Sequence, residues 1–343
     1  MTNISDYSPE QLTEYFKSKT IPSFRTKQLL EWVYRKPVFK FDEMTNLPKS
    51  LRDDLVADFS LYSVRELIRK VSTDGTNKAL FELADGESVE TALIPSGDGF
   101  NYTICVSCQV GCPMGCAFCS TGHQGFQRNL SVSEIVDQVR YFNSLLGSNG
   151  RISNVVFMGM GEPFSNYDNV IRAANIMNAD WGINIAARSI TISTVGVISG
   201  IRNFMREGHQ FGLAVSLHAP SDQIRNRLLP YNKSVGVDKL LKACRDYVSI
   251  TNRRITFEYC LFKGINDTRE VADELIDKLK GLNCHVNLIA PNATFDHGLQ
   301  PSESVLDFEN YLKDNHINVT LRKSMGSDID AACGQLKSNS YRT

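Results

Sequence analysis

From residue 102 onward the chain alternates short apolar runs with longer amphipathic ones, and this alternation limits its fold more than any other feature. Runs with strand character stand at 102–107, 154–158, 189–193, 212–217, 255–260, 286–290 and 319–322. Helical spacing of apolar residues marks 132–146, 169–178, 223–229, 237–247, 271–282 and 305–315. Strands joined through helices need crossover connections, so they lie parallel. Six to seven such units specify an α/β fold with a partial, (β/α)6-type barrel or a complete one, whose chemistry sits at the C-terminal ends of the strands. Upstream, 79–83 and 88–94 read as two strands around an Asp85-Gly86 turn.

The first 60 or so residues read as helices. Ser8-Pro9 looks like a capped start, Phe24, Leu29, Trp32 and Val33 recur at helical spacing, and 47–51 opens a third helix. The expected organisation is a helical accessory domain over 1–75, a β-hairpin extension over 76–100, a barrel core with a C-terminal cysteine loop over 101–336, and a tail over 337–343. The chain has 343 residues, 42% of them hydrophobic and 22% charged, with a formal net charge of −1. No global basic signature for nucleic acid follows, so any nucleic-acid-binding surface must be a local patch. Lys17, Lys19, Arg25, Lys27, Arg35, Lys36 and Lys40 are candidates, but acidic neighbours balance them, and a solvated helical face fits them as well. A basic, apolar leader and a membrane-length apolar run are both missing, so the expected location is the cytoplasm. There, nine cysteines point to metal or redox chemistry, not to a disulfide framework.

Three of those cysteines, Cys112, Cys116 and Cys119, form C-x3-C-x2-C directly after the first barrel strand. A structural zinc or an electron-transfer cluster normally takes four protein ligands. Three thiolates on a [4Fe–4S] cluster leave one iron open for a further ligand. The second strand ends in Gly159-Met-Gly-Glu-Pro163, where glycines let the backbone approach a ligand and Glu162 can hold an ammonium group. Ser193, Ser216 and His218 lie at the ends of the third and fourth strands, and Asn292 follows the sixth. A lone His in such a place is more often a structural hydrogen-bonder than a ligand. Cys105 lies in the first strand, where a cysteine is usually a small hydrophobe. Cys333, followed by Gly334, reads as part of a mobile loop that can swing a thiol into the barrel mouth. Cys244, Cys260 and Cys284 read as core.

Together these residues resemble the RlmN/Cfr family of radical S-adenosylmethionine (SAM) RNA methyltransferases. The resemblance rests on residues 89–91, 107–112, 116–122, 159–163, 216–220 and 328–336 and extends over nearly the whole chain. It implies a radical SAM barrel with an RNA-binding accessory domain, a [4Fe–4S] cluster on Cys112, Cys116 and Cys119, and SAM held by Gly161, Glu162, Ser193, Ser216, Leu217, His218 and Asn292. It also implies two uses of SAM. One molecule methylates Cys333; the other, cleaved reductively, yields a 5′-deoxyadenosyl radical that activates that methyl for addition to C2 of adenosine. Cys105 then resolves the RNA–Cys333 adduct, leaving a Cys105–Cys333 disulfide, and Glu90 is the proton acceptor. Taken alone, Glu90 would read as a solvent-facing strand residue. Implied partners are 23S rRNA in the peptidyl-transferase region, tRNA 3′ of the anticodon, and an electron donor such as flavodoxin; a monomer is expected.

Two departures stand out: Cys108 occupies a place where Ser is expected, and Asn292 is flanked by Pro291 and Ala293 rather than by an aromatic residue and Pro. Pro163 favours C2 methylation over C8 methylation of the kind that confers ribosomal antibiotic resistance. An iron–sulfur sensor would have no use for Cys333, and a small-molecule radical SAM enzyme would need neither the helical segment nor the Cys105/Cys333 pair.

Overall fold

The computed structural model describes residues 2–36, 38–291 and 298–337. Asn292, expected to contact SAM, and most of the tail lie outside the described residues. Two short strands, β1 (Thr2–Asn3) and β2 (Phe59–Ser60), pair in parallel and close the N-terminal helical segment on itself. The main sheet has ten strands. Along the chain they are β3 (Arg65–Val71), β4 (Asn77–Glu82), β5 (Ser88–Pro95), β6 (Asn101–Cys105), then, after the small hairpin β7 (Gln109–Gly111) and β8 (Phe126–Asn129), β9 (Arg151–Phe157), β10 (Ile190–Thr194), β11 (Gly212–Ser216), β12 (Ile255–Cys260), β13 (Cys284–Ile289) and β14 (Val319–Arg322). Their spatial order is β14-β13-β12-β11-β10-β9-β6-β5-β4-β3. The seven from β6 to β14 run parallel, and the hairpin strands β5, β4 and β3 extend them antiparallel. The barrel is therefore partial and open, and its interior face carries Asn154, Thr191, Thr256, Glu258, Asn287 and Arg322 around a polar cavity.

Strand positions match the alternation read from sequence to within a few residues. The strand Arg65–Val71 differs, because that stretch was expected to belong to a helical segment. Six of its seven residues are exposed and four are charged, as suits an edge strand protected against further pairing, and Leu67, Ile68 and Val71 leave no period-2 apolar signal. The helix Ile198–Glu207 went unread although Ile198, Ile201, Phe204 and Met205 stand at helical spacing, with Gly200 on the same buried face. That glycine is required: a Cβ there would stand 2.5 Å from the Phe164 side chain. In the N-terminal segment, Ser8 and Gln11 form a reciprocal capping box with Pro9 in the first turn. Phe24 opens its helix as expected but is exposed, not part of the buried face made by Leu29, Leu30 and Val33.

One buried cluster docks the helical segment onto the barrel. Asp137, on the helix Val132–Leu146, accepts from Asn3 Nδ2 at 3.1 Å and from Ser63 N and Oγ, each at 2.7 Å. Arg140, one turn on, donates to Asp137 at 2.5 Å, to Val33 O at 2.7 Å and to Leu61 O at 2.8 Å. A buried carboxylate that loses its cation is stranded in low dielectric, so Arg140→Met is expected to cost about 3–5 kcal/mol. Thermal or urea unfolding of the variant measures this, and a loss under about 1 kcal/mol would show that the cluster does not hold the two parts together.

Candidate active site

The cysteine loop is framed by β7 and β8. Gly111, at φ +71°, ends β7 where a Cβ would clash with the Gly125 carbonyl oxygen, and Cys112 N donates to that oxygen at 3.0 Å. Ala117 N donates to Leu228 O at 2.9 Å, which fixes the loop against the next barrel element. The thiols of Cys112, Cys116 and Cys119 line one cavity at the C-terminal ends of the strands, together with Gly161, Glu162, Ser193, Ser216 and His218. Burial pushes the Cys112 thiol up to about 12 and raises Cys116 and Cys119 as well. Only a bound metal would hold such thiols as thiolates. Among the described residues no three His, Cys, Asp or Glu side chains converge on a single ion. Three soft donors on one loop that line a single cavity have the donor chemistry a [4Fe–4S] cluster takes.

Glu162 is held rigidly beside them. One carboxylate oxygen accepts from Phe164 N at 3.0 Å and the other from Val195 N at 2.7 Å. Burial outweighs those bonds and raises its carboxyl to about 7. Gly159 and Gly161 are needed for a reason other than ligand approach. A Cβ on Gly159 would stand 2.6 Å from Val106 O, and one on Gly161, at φ +106°, 2.6 Å from Gln109 Cβ. The loop is strapped to β7 and the residues before it, with Met160 N donating to Ser107 Oγ at 2.9 Å and Glu162 N to Gln109 Oε1 at 2.9 Å.

His218 is both a structural bonder and a cavity residue. Its Nδ1 accepts from Cys260 N at 2.9 Å, so the ring proton sits on Nε2. Burial, with Arg225 nearby, holds its pKa down to about 3, so the ring is a neutral donor. Leu217 is buried behind the cavity and does not line it. Cys260, read as core, is buried yet lines the cavity, while Cys244, Cys284 and Cys108 are buried and line neither cavity at the site. Sequence reading missed Arg225, which is fully buried and donates to Val195 O, Ser216 O and Leu217 O, tying together the ends of β10 and β11. It also missed Glu258 and Arg322, which line the cavity from β12 and β14.

The Cys333 segment is laced down, not loose. Ser120 N donates to Gly334 O at 2.7 Å and Thr121 Oγ1 to Leu336 O at 2.6 Å, joining it to the cysteine loop. From the hairpin side, Lys78 Nζ donates to Asp330 O at 3.0 Å, Ser72 Oγ to Asp328 at 2.5 Å, and Asp74 accepts from Gly326 N at 2.7 Å. Glu90 is completely buried and not solvent-facing, because Lys78 Nζ lies 3.0 Å away and Lys337 N donates to it at 2.8 Å. Burial raises its carboxyl, and Lys78 opposes this. Cys333 is exposed at the cavity, and it shares a second, adjoining cavity with Cys105, Met158 and Arg322. All nine cysteines are free thiols, so the expected Cys105–Cys333 disulfide is not present.

Glu162 binds its proton more tightly in the folded chain than in the unfolded one. Its contribution to stability is therefore complete below pH 4.5 and lost as pH rises to about 7. His218, with its pKa held down, acts in the opposite direction at overlapping pH, so the raw curve would hide the effect. The difference between wild type and Glu162→Gln isolates it. In the protein without SAM, wild type should lose up to about 3 kcal/mol relative to the variant between pH 4.5 and 7. Melting both proteins across that range tests it, and a difference independent of pH would refute the buried, protonated carboxyl.

Two family models match the chain, the radical SAM superfamily over residues 106–279 and the ribosomal RNA large subunit methyltransferase N-terminal domain over residues 2–60. The probable dual-specificity RNA methyltransferase RlmN of Geobacillus kaustophilus (strain HTA426) is 44% identical over 98% of this chain and 93% of its own length. Its namesake in Staphylococcus epidermidis (strain ATCC 12228 / FDA PCI 1200) is 47% identical over 92% of this chain and 86% of its own. The crystal structure of a radical SAM methyltransferase from Sphaerobacter thermophilus superposes with a TM-score of 0.94 at 42% identity, covering 98% of this chain and all of that one. Streptococcus suis SuiB bound to S-adenosylmethionine, at 14% identity and a TM-score of 0.51 over 66% of this chain and 52% of its own, shares the fold alone. A thiol triplet at the strand ends, a second thiol pair beside it, and these likenesses over nearly the full length place the chain in the RlmN family of the radical SAM superfamily.

Proposed function

We propose that this chain methylates C2 of adenosine in RNA, with 23S rRNA and tRNA as substrates and two SAM molecules consumed per methyl group. The observation that carries the reading is the placement of Cys333 on two adjoining cavities, one lined by the thiol triplet and the other by Cys105. Cys112, Cys116 and Cys119 would hold the [4Fe–4S] cluster, which with SAM supplies a 5′-deoxyadenosyl radical. Glu162 would take the amino group of SAM, and Ser193, Ser216 and the His218 Nε2–H would meet its polar atoms.

The chain's own residues account for the remaining steps. The Cys333 thiolate attacks the methyl carbon of SAM, forming an S–C bond and releasing S-adenosylhomocysteine; thiolates are strong nucleophiles for such displacements. Adenine C2 is electron-poor and cannot take that methyl directly, which is why the carbon must travel on sulfur. Once carbon on Cys333 is joined to C2, the odd-electron adduct would give back the one electron spent in making the radical, and Glu90, its carboxyl raised by burial, accepts the C2 proton. Cys105 then attacks Cys333 Sγ: an S–S bond forms, the S–C bond breaks, and its electron pair stays on the methyl carbon, which takes up a proton. Burial pushes Cys105 up to about 12, with Arg322 opposing, so Cys105 is a thiol until this step. Pro163, directly after Glu162, favours C2 over C8.

Anaerobic turnover with an adenosine-containing RNA, followed by digestion and comparison with 2-methyl- and 8-methyladenosine standards, decides the carbon. The 2-methyl nucleoside is expected, and the 8-methyl nucleoside would overturn the assignment. Cys105→Ala should accumulate an RNA–protein adduct and cut free product at least 100-fold, whereas free methylated RNA at normal yield would remove Cys105 from the resolving role.

A further inference from the structure

A pocket at the seam between the N-terminal helices and the barrel lies at the end opposite the cysteine loop. It is lined by Tyr34, Arg35, Lys36, Arg140 and Arg151, with Asn184 at φ +65° on its rim. Arg151 starts β9, and Phe157 ends that strand beside the site. Six residue steps of strand put the pocket roughly 20 Å from the barrel mouth. Among the described residues four cations line it and no carboxylate does. Two acids lie behind them: Asp137 holds Arg140, and Glu31 sits 3.2 Å from Lys36. The balance leaves two positive charges in excess.

The second observation is an unmet donor. Arg140 is 2% exposed and uses Nε and Nη1 on Val33 O, Ser5, Leu61 O and Asp137, but its Nη2 has no hydrogen-bond partner among the described residues. The Tyr34 hydroxyl, on a residue 4% exposed, is likewise unpartnered. A buried guanidinium nitrogen left bare costs about 1–3 kcal/mol, so its persistence beside a cationic pocket points to an anionic ligand. A tetrahedral oxyanion satisfies both donors and suits Arg, which binds phosphate through its planar fork.

We propose that this seam pocket holds a backbone phosphate of the RNA substrate, anchoring it roughly 20 Å from the reacting adenine. The inference rests on the reading that the chain acts on RNA, but not on which carbon is methylated or on the roles of Cys105 and Cys333. The contact reads no base and supplies affinity and register, which suits an enzyme that takes two unrelated RNAs. It also ties RNA to the junction of the N-terminal helices and the barrel, not to the helices alone.

The test uses the cluster-loaded, full-length enzyme and a labelled RNA stem-loop, with binding measured from 50 to 300 mM KCl. Lys36→Gln/Arg151→Gln removes two exposed or half-exposed cations without touching the buried cluster. Expected are about a tenfold loss of affinity near 100 mM salt and a log–log salt slope shallower by about 0.7, the amount for one single-strand phosphate contact. Tyr34→Phe should weaken RNA binding severalfold with the melting temperature unchanged or raised. SAM-dependent methylation of Cys333, which needs only the barrel mouth, should occur in wild type and be unchanged in both variants; its absence from wild type would count against the functional reading, and its loss in the variants alone would overturn this one. Lys239→Gln/Lys280→Gln, on exposed positions elsewhere, is the control for general charge. An equal slope change in the control, or none in the pocket variants, overturns the proposal. So does inorganic phosphate binding at the pocket with RNA affinity indifferent to the same substitutions, which would assign it to a free anion.

Discussion

Lys78 and Glu90, on neighbouring antiparallel strands, form a buried ion pair at 3.0 Å on which the arrangement of the site depends. Such a pair is costly to desolvate, and removing either partner leaves a charge uncompensated. Here the cost is offset by two further bonds, from Lys78 to Asp330 O and from Lys337 N to Glu90. Both reach the segment that carries Cys333. The sheet is an open partial barrel, so nothing in its strand order would bring β14 and the hairpin β4–β5 together. The C-terminal segment spans them, and the buried pair holds that span in place. Bonds from Ser120 and Thr121 then set the same segment against the cysteine loop.

Much of this was legible in the sequence. The alternation placed all seven parallel strands, because a parallel strand buried on both faces is a compact apolar run. C-x3-C-x2-C and the Gly-Glu-Pro run could be read because their members are local. Residues whose meaning depends on distant partners could not. Glu90 reads as solvent-facing because its counterion lies twelve positions upstream on another strand. Arg225 sits on a polar-looking helix, and only its bonds to carbonyls up to 30 positions away show it to be buried scaffolding. The charged strand Arg65–Val71 escaped because an exposed edge has no apolar face to reveal it. The Cys333 segment read as mobile from its glycines and acids, yet those acids are its anchors: Asp328 binds Ser72 and the Thr73 amide.

The electrostatics divide the site into two parts. Near the thiol triplet burial works against charge: it holds His218 neutral, raises Glu162 to about 7 and raises the thiols. Such a pocket is poised to take charge from what binds there. Across Cys333, Arg322 provides a cation on the wall shared with Cys105. Arg322 lines the thiol-triplet cavity as well, so this one cation faces both halves of the site and lies between Cys333 and Cys105 on the shared wall.

The central claim is that Cys333, fixed by these contacts, carries the methyl group. Its direct measurement is peptide mass spectrometry on anaerobically purified enzyme incubated with SAM bearing a trideuterated methyl group. The account predicts a labelled S-methyl group on the peptide containing Cys333 and on no other cysteine. An unmodified Cys333 in enzyme that methylates RNA would contradict it.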